Sequence, residues 1–316
     1  MPGLIDIHAH FLTKNYLAAM RATGMDTVDG FPLPDWSPDT ALALMDRCGI
    51  ETQILSISAP GIDFVSGEAA RRLARDINEE LAGIVARHPG RFRGFGLLPL
   101  PDLDGALQEL AYALDVLKFD GLGLYTNFGG LYPGDSRLDP LFEELNRRKA
   151  VVYVHPVAPP DFDMTRFGFP APTIEYPFDT TRMILNLVSS GTLRRFPDVR
   201  MIVSHGGGTL PFLVPRMMRH MVRFARSPVT PDEIMADFRS LYFDMTAVSH
   251  PHAIDALLTL APKDHLLYGS DHPFMVPTAI PQGIEFLATS PKFDEVTRRA
   301  VSYENARALF PQLAKG

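Results

Sequence analysis

The sequence predicts an α/β protein folded as a (β/α)8 barrel, in one domain over residues 1–316 with insertions after strands 1 and 5. Three observations point there: eight short apolar, β-branched runs, amphipathic segments between them, and metal-competent side chains at the ends of several runs. The runs are residues 3–8 (GLIDIH), 52–58 (TQILSIS), 92–98 (FRGFGLL), 121–126 (GLGLYT), 151–155 (VVYVH), 200–205 (RMIVSH), 241–245 (LYFDM) and 266–270 (LLYGS). Near-continuous apolar strands alternating with helices mark a parallel sheet covered on both faces.

The segments between the runs supply those helices. In residues 68–87, Leu73, Ile77, Leu81 and Ile84 fall on one stripe at the helical period. Two connections are longer than the rest, residues 11–40 and 156–180, and both are rich in Pro, Gly and Asp. Insertions after barrel strands are where enzymes of this shape keep substrate-binding loops. Eight such strands also suit an open doubly wound sheet, so strand counting does not close the barrel. The residues at the strand ends decide it.

Composition narrows the function. Of 316 residues 46% are apolar, enough for one large core, and the formal net charge is -7. That charge argues against a nucleic-acid binder, which needs clustered Lys and Arg against phosphate. The single cysteine, Cys48, permits no intrachain disulfide and reads as a small core residue. No run approaches the roughly 18 apolar residues of a membrane span, and the first residues lack the pattern of a secretory leader. A cytoplasmic, small-molecule enzyme is the expectation.

His8 and His10 end the first run as Asp6-Ile7-His8-Ala9-His10, and strand alternation sends residues two apart to one side. A lone His-x-His is weak evidence. His155 ends the fifth run, His205 ends the sixth, and Asp271 follows the eighth. In a closed parallel barrel these ends meet on one rim. Packing alone does not account for five such groups, because a buried imidazole or carboxylate without a partner costs several kcal/mol.

The constellation resembles the amidohydrolase superfamily, and specifically its decarboxylase branch, which contains aminocarboxymuconate semialdehyde decarboxylase and the salicylate-type decarboxylases. The segments that carry the resemblance are Asp6–His10, His88–Phe92, Val154–Pro156, Ser204–Phe212 and Gly269–Phe274. They span nearly the whole chain. The runs Glu175–Arg182 and Ser190–Leu193 lean toward enzymes similar to 6-methylsalicylate decarboxylase.

That resemblance implies a nonoxidative carboxy-lyase acting on a hydroxybenzoate or related acid. It implies that His8, His10, His155 and Asp271 ligate one divalent ion, and that His205 is catalytic rather than a ligand. The fourth run contains no lysine to bridge a second metal, which favours one ion per subunit. Three imidazoles and a carboxylate suit zinc, with manganese the alternative. Either His205, or Asp271 after taking a proton from metal-bound water, is then expected to supply the proton, with Asp271 favoured as ligand and relay and His205 as positioning or activating the water. A substrate carboxylate also calls for a guanidinium. Arg216, eleven residues after His205, is the first candidate, since similar decarboxylases place an arginine there that reaches a neighbouring subunit; Arg182 is the second. The resemblance therefore implies a homodimer. Ala41–Leu44 stand where the aminocarboxymuconate enzyme carries an arginine, which argues against that substrate. A hydrolase of a lactone, amide or carbon-carbon bond on the same barrel remains the alternative.

Other features carry blander expectations. Gly206–Gly208 read as a sharp turn under the metal more than as an anion nest. His88, His220, His250, His252 and His265 read as surface or capping residues, and His272 as a neighbour of the ligands. No Gly-x-Ser-x-Gly elbow or phosphate loop is present.

Overall fold

The computed structural model describes residues 3–164, 167–224 and 228–315. Residues 165 and 166 of the 156–180 connection, and Met1 and Pro2 of the leader reading, lie outside the described residues. Eight parallel strands form the sheet: β1 (Leu4–His10), β2 (Ile50–Ser56), β3 (Phe92–Leu97), β4 (Gly121–Tyr125), β5 (Val151–His155), β6 (Arg200–Val203), β7 (Tyr242–Asp244) and β8 (Leu266–Leu267). Each pairs with the next in sequence.

Backbone hydrogen bonds from the segment after β8 close the circle onto β1. Ile7 donates to the Tyr268 carbonyl (3.1 Å), Asp271 donates to the His8 carbonyl (2.7 Å), and His10 donates to the His272 carbonyl (2.7 Å). An open doubly wound sheet has no such seam. The eighth run thus leaves the ladder with β7 after Leu267, because its remaining residues turn to β1 and deliver Asp271 to the site.

Inside the barrel Ile5, Ile7, Ile54, Phe95, Tyr153, Ile202 and Leu267 pack together, and Leu309 and Phe310 plug the end away from the site. A second core lies between the sheet and its helices. The helix Gly67–Arg87 contributes Ile77, Leu81 and Ile84 as foreseen, while Leu73 is only half-buried and Ala70, Ala74 and Asn78 complete the buried face. Cys48 packs half-buried against this core.

Both long connections contain structure that their composition concealed. The first holds a helix, Lys14–Ala22, and a hairpin of Thr27–Val28 with Phe31–Pro32. Asp29 and Gly30 turn that hairpin with φ of 49° and 82°, the left-handed pair that a two-residue turn requires. This connection ends at Ser37 rather than residue 40, because Ser37 and Thr40 cap the helix Pro38–Cys48 reciprocally. The second ends at Ile174, where the helix Glu175–Ser189 begins. No helix among the described residues is long and apolar enough to cross a membrane.

Candidate metal centre

The strand ends bring His8, His10, His155 and Asp271 together, with one donor atom of each within 4.8 Å of the others. His8 Nε2 lies 3.1 Å from His10 Nε2, and Asp271 Oδ1 lies 3.4 and 3.2 Å from those two nitrogens. Ligands about 2.1 Å from a tetrahedral ion stand about 3.4 Å apart, so the spacing fits a single divalent cation. The three histidines are almost wholly buried. Asp271 Oδ1 is buried without a hydrogen-bond partner, which is costly unless a cation meets it.

The far side of each imidazole is fixed, and this selects the nitrogen that points inward. His8 Nδ1 faces Asp244 Oδ2 at 3.0 Å, His10 Nδ1 faces Ser56 Oγ at 3.1 Å, and His155 Nδ1 faces the Pro156 carbonyl at 2.8 Å. With Nδ1 donating outward, Nε2 keeps its lone pair for a metal. Asp6 braces β1 from behind, accepting from Gln53 Nε2 (2.9 Å), Ser270 Oγ (2.6 Å) and the His8 N–H (3.1 Å).

Burial works against charge on every group here, and the carboxylates decide which keep it. Burial alone would strip the proton from His8, but Asp244 and Asp271 outweigh it and lift its pKa to about 10, so a divalent ion must displace the Nε2 proton before His8 ligates. Burial lowers His10 and His155, so both favour the neutral form that ligates. Burial raises Asp271, but His8, His10 and His205 outweigh it and hold the carboxylate well below its ordinary range. Burial likewise pulls His272 down to about 4.

His205 stands beside the group rather than in it, with Nε2 3.7 Å from Asp271 Oδ2. Its backbone N–H donates to Asp244 Oδ1 at 3.0 Å, so Asp244 braces both His8 and His205. His205 and Asp271 adopt left-handed φ values of 52° and 57°, a strained choice for such residues that costs of order 1–3 kcal/mol. Gly206, Gly207 and Gly208 continue that turn at φ of 62° to 76°. A Cβ on Gly208 would lie 2.1 Å from the Pro177 carbonyl oxygen, so the triplet permits close approach.

Asp244 is the functional residue that the sequence reading passed over. Its signal was an acid at the end of the seventh apolar run, in the same relation to its strand as the residues that were singled out. One irregularity also escaped simple alternation. The register of β1 on β2 shifts between Asp6 and Ala9, so Ile7 joins the inner core that includes Tyr153 while His8 also stands edge-on to Tyr153.

The group opens onto a cavity of about 350 Å³ with His155, His205 and Asp271 at its floor. Phe31, Pro172, Tyr176, Phe274 and Val276 wall it, and no Lys or Arg lines it among the described residues. Arg182 lies on the helix Glu175–Ser189 and faces Asp179 (3.5 Å) and Glu175 (3.7 Å) instead. Arg216 is exposed on the helix Leu210–Phe224. Neither arginine reaches the cavity of its own chain. Among the other histidines, His250 caps the helix Pro251–Leu260 and His265 stacks on Tyr242.

Residues 5–312 match the amidohydrolase family. The chain is 37% identical to decarboxylase yanB of Aspergillus niger, over 98% of this chain and 87% of that one. It is 36% identical to 6-methylsalicylic acid decarboxylase acuB of Aspergillus aculeatus, over 98% and 97%. Among solved structures it resembles dihydroxybenzoic acid decarboxylase from Polaromonas sp. JS666, determined with manganese and the inhibitor 2-nitroresorcinol. That likeness has a TM-score of 0.84 and 26% identity, over 98% of this chain and 97% of the other. The chain belongs to the amidohydrolase family, among relatives that are decarboxylases.

Proposed function

We propose that this protein is a metal-dependent nonoxidative decarboxylase of a small aromatic acid of the salicylate type. The observation that carries the reading is the four-donor group of His8, His10, His155 and Asp271 at the floor of an apolar cavity wide enough for one substituted ring. Its relatives, decarboxylases of 6-methylsalicylic and dihydroxybenzoic acids, support it. When bound, a divalent ion supplies Lewis acidity toward a phenol oxygen and the neighbouring carboxylate oxygen. The apolar wall packs against the ring and excludes water.

Loss of CO2 replaces a carbon-carbon bond by a carbon-hydrogen bond, so a proton must reach the ring carbon that bears the carboxylate. Asp271 and His205, 3.7 Å apart at the cavity floor, are the groups placed to hold and deliver it. We assign Asp271 the roles of ligand and relay, passing a proton from a water molecule to the ring carbon as CO2 leaves, and His205 that of positioning this water, whose hydroxide is reprotonated from solvent.

Zinc is the ion this donor set favours, since it holds no glutamate and three imidazoles. Manganese, present in the Polaromonas structure, is the alternative. Among the described residues no Lys or Arg lines the cavity, so beside the metal we look to a guanidinium from a neighbouring subunit for the substrate carboxylate. Glu175 and Asp179 occupy Arg182, so we assign that contact to the exposed Arg216 acting across a homodimer. The chain is read as one catalytic domain, and its lone free cysteine suits the cytoplasm.

A panel of salicylates and lactones tests the reading. Release of CO2 from a salicylate, lost on chelation and restored by zinc or manganese, is the expected result. Ring opening of a lactone without CO2 release would transfer the site to hydrolytic chemistry.

A further inference from the structure

The hairpin Thr27–Pro32 forms one wall of the cavity through Val28 and Phe31, yet it has only two residue pairs of its own. A hairpin that short does not hold itself in water. Val28 packs into the core and Phe31 meets Phe274, and the polar ties come from Asp29, which sits at the turn and does not line the cavity. Asp29 Oδ2 accepts from the Tyr176 hydroxyl (2.8 Å) and from the Ala158 N–H (3.0 Å), and the Asp29 carbonyl accepts from the Ala171 N–H (3.0 Å). All three donors belong to the segment that follows β5. Tyr176 in turn lines the cavity and packs edge-on to His155, with ring centroids 5.8 Å apart.

We infer that Asp29 is a positioning residue for substrate binding, a latch that fastens the strand-1 hairpin to Tyr176 so that the two insertions close as one wall over the metal centre. The carboxylate fits the task for two reasons. An Asp tolerates the left-handed backbone that the turn needs, and one ionised oxygen can accept two hydrogen bonds at once. The Tyr176 hydroxyl, donated to Asp29, is directed away from the substrate, so the ring and not the phenol faces the bound acid.

Three variants test this. Asp29→Gly keeps the turn geometry and removes the carboxylate, Asp29→Asn keeps one accepting oxygen, and Tyr176→Phe removes only the donated hydroxyl. Hydrogen exchange of the residue 28–31 amides is read alongside KM and kcat for the best acid. Asp29→Gly and Tyr176→Phe are expected to speed that exchange and raise KM roughly tenfold, the scale of one hydrogen bond, with kcat and metal content little changed. Asp29→Asn should stay near the wild type, and the double variant should be no worse than Asp29→Gly. Unchanged exchange in Asp29→Gly, or a fall in kcat with KM unmoved, overturns the inference. The kinetic arm rests on the decarboxylase reading and the exchange arm does not. Absence of turnover by the wild type refutes that reading alone, and hairpin exchange then decides on Asp29.

Discussion

At the scale of single residues, the site is built on the imidazoles of His8, His10 and His155, whose outward nitrogens all have partners. Asp244 matters most among the supporting groups because it holds both His8 and the backbone of His205. Asp244→Asn should therefore weaken metal affinity about 10–100-fold with the circular dichroism spectrum unchanged, as checked by titration with a competing chelator. Equal affinity in the variant would remove Asp244 from the account. Gly208→Ala should destabilise the fold by at least about 2 kcal/mol in urea unfolding, since the added methyl meets the Pro177 carbonyl and the backbone is left-handed. The candidate ligands were legible in the sequence because each is a polar group abruptly ending an apolar run. Asp244 follows the same rule, but as one acid in a three-residue strand it lacked a second signal. Ser56 and Pro156 were invisible, since a hydroxyl or carbonyl brace depends on which strands become neighbours.

Among the elements, the strands were foreseen within a few residues and the connections were not. Periodicity reports burial on a regular surface, whereas the connections are shaped by individual caps and turns. Asp29-Gly30 and Ser37-Pro38 were both written in the sequence, as a turn pair and a helix start, but a composition rich in Pro, Gly and Asp masked them. The helix Asp139–Arg148 yields a pH prediction. Glu144 accepts from Arg147 at 2.7 Å and from Arg148 at 2.5 Å, and Arg147 first, then Arg148, hold its pKa down at about 2 against an ordinary 4.5. A folded-state pKa below the unfolded one gives stability that is present above about pH 4.5 and lost as pH falls toward 2. Glu144→Gln should thus cost under about 1 kcal/mol at pH 6, given the exposure of Arg147, and progressively less at pH 3. Urea midpoints at the two pH values measure it; an equal gap at both would contradict the assignment.

For the whole molecule, closure of the barrel is what brings the ends of β1, β5, β6, β7 and β8 into one site. Closure was argued from the strand-end residues and not from strand count, and the seam between residues 7–10 and 268–272 bears that logic out. What stayed beyond the sequence was the wall of the cavity, because it is built from the two insertions and the segment after β8, which meet only after the barrel has formed. Metal bound to the folded state alone also stabilises it by mass action, so stripping the ion should lower the melting temperature, and restoring it should return the loss. The most direct test of the central claim is anomalous diffraction from crystals of the protein, recorded on both sides of the zinc and manganese absorption edges. One strong peak per chain is expected, about 2.0–2.2 Å from a donor atom of His8, His10, His155 and Asp271. No peak among those four residues, with the purified enzyme still releasing CO2, would contradict it.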